Sequence, residues 1–507
     1  MAKWSQILEK TALALAACLT GALALIGMVM TAELRAPEIV RYVTHLPLLP
    51  VLGTAAVVLT ALGLQRLLVR FAHIHLTGAM MLLWTLLAMA FLLGSYTRQE
   101  VDFQYVCEAA RCFARGDYAP LTSYYFNECS YQLGTCLLLE GVLRLVPWLN
   151  IEYTMQALNA VMSIAAAGML SALGQLAYER TDVRQGAIAL YLLCLPMVLY
   201  GIHVYGTLPM VLLSAAAMLC FALYIRSKKR RFGLLYALCI AVAYMVKMNT
   251  AIVLLALGIC ALLYGMESRD FRLLGYAVLG AAGAVLLARL AIAQYEWRGG
   301  VVLREDVTML SRLVMGLQDG KRGAGWYNAY IEQFFDGTIS IEQEKAIAAA
   351  DLSARLAQLR ADPVRTLIFF VQKALSQWLE PTYGTLLYGN YCRQAGPWAE
   401  ALAPVFDEAS AVRIGLEAYM KAWQQALYVL AAVGLVKSLR QRQSAMQLVL
   451  PVAVLGGCMY HMIFEAKSQY IYVYALYLVP IAGYGLSVVG DWVFGRRKRR
   501  TKDEAAI

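Results

Sequence analysis

The sequence predicts an all-α polytopic membrane protein with about twelve transmembrane helices, interfacial helices and an external loop domain, and three observations carry that fold class. Of 507 residues, 61% are hydrophobic and 15% charged, whereas soluble globular domains carry roughly 45–50% apolar and about 25% charged residues. The apolar residues gather in long uncharged runs such as 13–30 and 208–225, and about 18 such residues in a helix cross a hydrocarbon core of about 30 Å. The net charge of +11 sits largely in clusters beside the predicted helix ends: Arg226 with Lys228 to Arg231, Lys437 with Arg440 and Arg442, and residues 496–500 with Lys502. Such clusters mark cytoplasmic ends. They argue against a nucleic-acid partner, because no folded soluble face exists to carry a basic patch.

Taken in order, residues 1–96 hold N-terminal spans at about 11–31, 47–65 and 77–96. Lys3 and Lys10 ahead of the first apolar run resemble a signal peptide, but the run is long and no convincing small-residue cleavage site follows. It reads as a retained first helix. Residues 97–150 form a first external loop with interfacial helices, and 151–295 hold spans at about 153–176, 186–202, 207–225, 232–247, 250–265 and 273–294. Residues 296–416 form an external loop domain. There Ser340 with Gln343 resembles a capping box opening a helix to about Arg360, Pro363 ends it, and an interfacial helix follows over 364–380. Residues 417–507 hold spans at about 417–436, 445–463 and 471–491 and a basic cytoplasmic tail.

Segment 131–148 is apolar enough to tempt a thirteenth span. Glu140 and Arg144 stand against it, since each central charge costs about 2.5–3.5 kcal/mol on insertion scales. Four residues apart, they share one helix face and can pair. Leu138, Val142 and Leu145 fall opposite, as on a helix lying in the interface. Only with this segment interfacial do Arg180, Arg184, Arg226–Arg231, Arg269, Arg272 and the C-terminal clusters all fall inside, which makes both termini cytoplasmic. Cys18, Cys194, Cys220, Cys239, Cys260 and Cys458 lie in apolar helices and read as core. Cys107, Cys112, Cys129, Cys136 and Cys392 fall outside, where disulfides form in an oxidising compartment, though sequence gives no pairing.

Chemistry concentrates on the external side. After the third span comes TRQEVDFQYVCEAARCFARGDYAPLTSYYFNECSYQLG, in which Asp102 stands where a membrane helix emerges and another helix begins. The helix following Asp102 uses Ala109, Ala110 and Phe113 as apolar contacts and ends near Gly116. The bland reading of Asp102 is a helix cap favoured by the dipole; the functional one is a base for a substrate hydroxyl. Turns at 203–206, 247–249 and 465–470 share this face. Lys247 and Lys467 each interrupt apolar sequence there; they either snorkel or act as point charges for a phosphate. Glu465, two residues from Lys467, offers a local ion pair. Tyr124, Tyr125, Tyr131, Trp326, Tyr327, Trp378 and Tyr383 suit sugar stacking, yet interfaces enrich Trp and Tyr anyway. His73 and His75 fall on the cytoplasmic side without further ligands, and no metal site is expected. His203 and His461 stand alone near the outer face and read as structural.

In their order and shared face, Asp102, ARGDYAP at 114–120, YQLG at 131–134, YGIHVYGT at 200–207, KMNT at 247–250, KALSQWLEPTYG at 373–384 and FEAKSQY at 464–470 resemble the membrane-embedded GT-C glycosyltransferases. These use lipid-phosphate sugars and include protein O-mannosyltransferases and aminoarabinose transferases. The similarity runs from about residue 95 onward. It implies Asp102 as the catalytic carboxylate, and Glu128, Tyr131, Gln132, Tyr205, Lys247, Glu465, Lys467 and Tyr470 as substrate-binding residues. It further implies a polyprenyl-phosphate sugar as donor partner, an acceptor of unspecified class (glycan, lipid or protein), membrane lipids around the spans and a cell-membrane location; no cofactor is expected, and metal dependence is open because the family does not require a metal uniformly. Two departures stand out. Many relatives carry an acidic residue where this chain has Tyr205, Gly206 and Thr207, leaving Glu128 or Glu465 as the second carboxylate. Relatives often have Arg near the position of Gln469, so phosphate binding falls more heavily on Lys467. A flippase or transporter of lipid-linked saccharides is the alternative; against it stand the lack of internal repeats and the placement of charges at helix ends.

Overall fold

The apolar runs fold as helices, and polar or proline residues decide where each begins and ends. The computed structural model describes residues 2–95, 98–303, 306–335, 338–391, 397–440 and 444–495. Cys392, Arg442 and the basic tail at 496–500 with Lys502 lie outside the described residues. The chain opens with α1 (Ala2–Gly27), α2 (Leu48–Arg70) and α3 (Leu76–Ser95). Between α1 and α2 stands a hairpin that the all-α expectation lacks. Its strands β1 (Met30–Arg35) and β2 (Ile39–Thr44) pair antiparallel, Met30 opposite Thr44 and Arg35 opposite Ile39. Its signal is the β-branched and aromatic content of IVRYVT, in a stretch short enough to pass for a loop between spans.

Helices α4 (Asp102–Ala114), α5 (Tyr124–Glu128) and α6 (Leu133–Leu145) follow. α4 buries Ala109, Ala110 and Phe113 as expected and stops just before Gly116, whose φ of 83° suits glycine. α6 corrects an expectation. The Glu140–Arg144 pair forms, at 2.8 Å, but Glu140 points inward and is only 2% exposed, whereas Leu145 is exposed. The reason is α13: Arg298 and Tyr295 both bind the Glu140 carboxylate, at 2.5 and 2.6 Å, satisfying the charge inside the protein.

α7 (Ile151–Tyr178) starts where the Asn150 side chain accepts from the N–H groups of Glu152 and Tyr153. α8 (Thr181–Leu192) and α9 (Leu195–Leu199) meet at a 63° bend, Pro196 lacking the N–H that would continue a straight helix. Then come α10 (Thr207–Ser227), α11 (Arg230–Val246), α12 (Thr250–Ser268) and α13 (Arg272–Gly299). Five helices, α14 (Met309–Gly316), α15 (Ile341–Ala361), α16 (Pro363–Trp378), α17 (Thr385–Tyr391) and α18 (Ala399–Phe406), precede α19 (Ala411–Leu439), α20 (Ala445–Ile463) and α21 (Ser468–Val493). The capping box at Ser340 and Gln343 is present. Pro363 not only ends α15 but opens α16, its lost N–H costing nothing at a first helical position. Along α16, Val364, Leu367, Ile368 and Val371 form one exposed apolar stripe.

Among the described residues nine helices are long and apolar enough to cross a membrane: α1 (from Gln6), α2, α3, α7, α10, α12, α13, α20 and α21. The bent α8–α9 pair makes a tenth if it is one span. The chain is thus an all-α multi-pass membrane protein by its helices, with α11 and α19 helical but outside that set. α21 is the most enclosed of them and packs against α19, α8, α20 and α7. Contact is close because glycines face backbone: Gly485 lies against the Leu430 carbonyl, Gly483 against α8 at Val183 and Ala187.

The polar connections separate onto two ends. One end holds the hairpin, α4–α6, the turns at 203–206 and 247–249, and α14–α18, joined by bonds such as Val40 N to Arg322 O (2.9 Å), Thr135 Oγ1 to Val246 O (2.7 Å) and Ala466 N to Gly325 O (2.8 Å). The other holds Arg180 on Asp182 and Asp491 (2.6 and 2.9 Å), Arg226 on Glu179 (2.7 Å) and Gln65 on the Asp182 carbonyl (2.8 Å). No disulfide joins the cysteines among the described residues, and Cys18, expected in the core, is exposed.

Gly485→Ala is expected to lower stability by about 1–3 kcal/mol, the usual cost of overpacking, because its Cβ would collide with the Leu430 carbonyl. Thermal unfolding in detergent beside Gly495→Ala, whose neighbourhood is open, checks this; equal midpoints would refute it.

Candidate functional site

Asp102 opens α4, and the residue that sets its direction is Val101, held at φ 53°. Positive φ is rare for a β-branched side chain and persists only where the surroundings impose it. Val101 holds the cap position and Asp102 the first helical position, where its charge still suits the helix dipole. Asp102 is exposed as a residue, yet desolvation by the surrounding protein raises its pKa, against the pull of Lys467 and then Lys247.

Lys247 is the C-cap of α11, and its ammonium lies 4.1 Å from the centre of the Tyr205 ring. Burial pushes its pKa down to about 7, with Asp102 opposing and Lys467 adding to the fall. Tyr205 also accepts a hydrogen bond from Gln132, and Phe103 meets it edge-on at 5.0 Å. Lys467 is the N-cap of α21, so the most enclosed helix presents a cation to this end. Tyr470 follows on the first turn and donates to Glu465 at 3.2 Å. Burial raises the Glu465 pKa, and Lys467 and the Tyr470 hydroxyl oppose the rise. Tyr131 lies under Arg312, 5.6 Å from guanidinium to ring centre. Glu128 is buried on α5, where Arg312 reaches its backbone carbonyl at 3.5 Å. All the site residues expected from sequence therefore lie at one end of the bundle, with Asp102 coupled electrostatically to Lys247, Lys467, Tyr131, Tyr205 and Tyr470.

Three residues were missed, and all concern Lys467. Its ion partner is not only local: Glu38, at the hairpin turn, binds it at 3.0 Å. Glu38 also takes bonds from Arg322 and from the Tyr388 hydroxyl. Burial alone would raise the Glu38 pKa, but Lys467, Tyr388 and Arg322 hold it below the ordinary carboxylate value. Pro37 before Glu38, and the Gly-rich DGKRGAGW around Arg322, were the available signals. Lys373, in the KALSQWLEPTYG stretch, ties α16 to the 464–467 turn by donating to the carbonyls of Gly316 and Phe464, the latter at 2.7 Å. Trp378 is buried at the end of α16, so it is core rather than a sugar platform.

His203 is buried among Phe103, Tyr200 and Tyr388, and neither ring nitrogen has a partner among the described residues. Burial, then Lys467, pushes its pKa down to about 3, so it is neutral. No group of three or more His, Cys, Asp or Glu among the described residues is arranged to hold a metal. Cavities of about 430 Å³ at the opposite end, beside Arg180 and Lys437, and of about 370 Å³ between the hairpin and α19 lack Asp102. The grouping of charge and aromatic rings, rather than cavity size, singles out the Asp102 end. No family model matches the chain, and no curated protein matches it in sequence.

With a pKa of about 7, Lys247 is expected to be half-acylated by an amine-reactive probe near that pH, being a neutral amine above it and an ammonium below. Peptide mass spectrometry across pH 6–10 reads this out. A midpoint near the ordinary lysine value of about 10.4 would mean that Asp102 outweighs burial.

Proposed function

We propose that the chain is a membrane glycosyltransferase that moves a sugar from a polyprenyl-phosphate donor to an acceptor at the Asp102 end of the bundle. The observation that carries the reading is a carboxylate at a helix start, one residue past the cap position and coupled to two lysines. In this reaction the acceptor oxygen attacks the anomeric carbon and its proton passes to Asp102. The bond from that carbon to the phosphate oxygen breaks, and polyprenyl phosphate leaves with the electron pair. Inversion at the sugar follows from the single displacement. Lys467 and Lys247 stand where the developing phosphate charge needs cations, and Tyr131, Tyr205 and Tyr470 offer rings and hydroxyls to the sugar.

On this reading α11 and α19 also cross, and α8–α9 counts as one span, giving twelve crossings of the cell membrane. Arg180, Arg184, Arg226, Lys228, Arg269, Arg272 and Lys437 then lie in the cytoplasm with both termini, in keeping with the positive-inside rule. Residues 296–416 form the external loop domain beside the site, with the α16 stripe against lipid.

Asp102→Asn is expected to lower sugar transfer by about 10²-fold or more while leaving membrane insertion intact. The assay is transfer of labelled sugar from a panel of polyprenyl-phosphate sugars by purified protein, with a membrane extract as acceptor. Full activity in the variant would exclude Asp102 as the base; lipid-sugar movement across proteoliposomes without any transfer would identify a flippase instead.

A further inference from the structure

Lys467, Arg322 and the Tyr388 hydroxyl converge on one point from three distant parts of the chain. Lys467 comes from the cap of α21, Arg322 from the loop after α14, and Tyr388 from α17. What they hold is the Glu38 carboxylate, 7% exposed at the tip of the β1–β2 hairpin. Two cations and a hydroxyl around a small planar anion form the donor set by which proteins bind phosphate oxygens. Tyr388 further lies beside Lys467, its ring centre 4.8 Å from the ammonium. Asp102 is coupled to both Lys467 and Glu38, so the cradle borders the site.

We infer that Lys467, Arg322 and Tyr388 form a phosphate-binding cradle that the chain closes with its own Glu38, so that the hairpin tip is a displaceable plug over the donor site. The substrate class, a polyprenyl phosphate, rests on the proposed function; the cradle itself rests on the three donors. One feature favours displacement of the carboxylate: Glu38 has φ 77° in a short turn, a conformation costly for a side-chain-bearing residue. The bonds that displacement has to loosen are those at the tip, the Val40 N to Arg322 O bond and the Glu38–Arg322 pair, with Arg35 on Glu417 and Ala36 N on Glu408 beside them. An arriving phosphate carries more charge than a carboxylate and offers the same three donors more oxygens. Removal of Glu38 by binding leaves the positive charge of Lys467 and Arg322 on the phosphate.

A closed plug lowers apparent affinity by the fraction of molecules that are open, and deleting the plug removes that penalty. With about one molecule in ten open, Glu38→Gln should bind farnesyl phosphate about tenfold more tightly than wild type. Arg322→Gln and Tyr388→Phe should bind it more weakly, and farnesol should not bind with any dependence on residue 38. Binding is measured by calorimetry in detergent, so it needs no sugar transfer; a chain that binds in this pattern but never transfers keeps the cradle and loses the enzyme assignment. Inorganic phosphate run alongside identifies the source: equal affinity points to soluble phosphate, weaker affinity to the lipid. Unchanged or weaker binding by a folded Glu38→Gln variant overturns the plug. Hydrogen exchange on the wild type covers the case of a misfolded variant. Farnesyl phosphate should speed exchange at residues 36–41, and protection or no change there overturns the proposal equally.

Discussion

The packing of α21 against α19 and α8 fixes the positions on which the rest of the structure depends. Glycines let these helices approach to backbone contact, Gly485 against Leu430, Gly434 against Ile481 and Gly483 against Val183. Close approach maximises dispersion contact where lipid gives helices no hydrophobic reason to associate. Its consequence is positional. Because α21 cannot slide or rotate, the residues at its N-terminus, Lys467 and Tyr470, are presented at a fixed height and azimuth at one end of the bundle. The turn before it is pinned too, since Lys373 holds the Phe464 carbonyl and Gly325 the Ala466 N–H.

Charge is distributed by the same economy. Inside the bundle, hydroxyls such as Thr20, Thr85 and Ser438 bond back to carbonyls three or four residues earlier on their own helices. Ionised groups collect at the ends. At the end opposite Asp102, Arg180 pairs with Asp182 and Asp491 and Arg226 with Glu179. At the Asp102 end they are crowded and mutually perturbed, with Lys247 lowered and Asp102 and Glu465 raised. A structural ion pair has no need of such perturbation, whereas proton transfer near neutral pH does.

The hairpin links these two themes. It rises from α1, packs its Ala32 N–H on the Leu379 carbonyl at 3.1 Å, and delivers a carboxylate to the cation that α21 presents. Arg35 meanwhile grips Glu417 of α19 at 2.7 Å, next to the turn that carries Glu38, so the hairpin is moored close to its tip. An N-terminal segment that seemed a mere connection between spans therefore contributes the nearest neighbour of Lys467.

The sequence by itself determined what depends on local composition. The apolar runs, Ser340 as a cap and Gly116 as a stop follow from residues within a few positions of one another, and so do the α4 core residues Ala109, Ala110 and Phe113. The site was legible to the same degree: Asp102, Lys247, Lys467 and Tyr470 betray themselves as polar residues at the edges of apolar runs. What only the tertiary structure decided is which charge meets which. Glu140 lies inward because Arg298, 158 residues away, waits there, and Lys467 meets Glu38 because a hairpin 429 residues earlier folds over it. Ion pairing depends on distance in space, and periodicity along the chain reports only on pairs within one helix, such as Glu140 with Arg144.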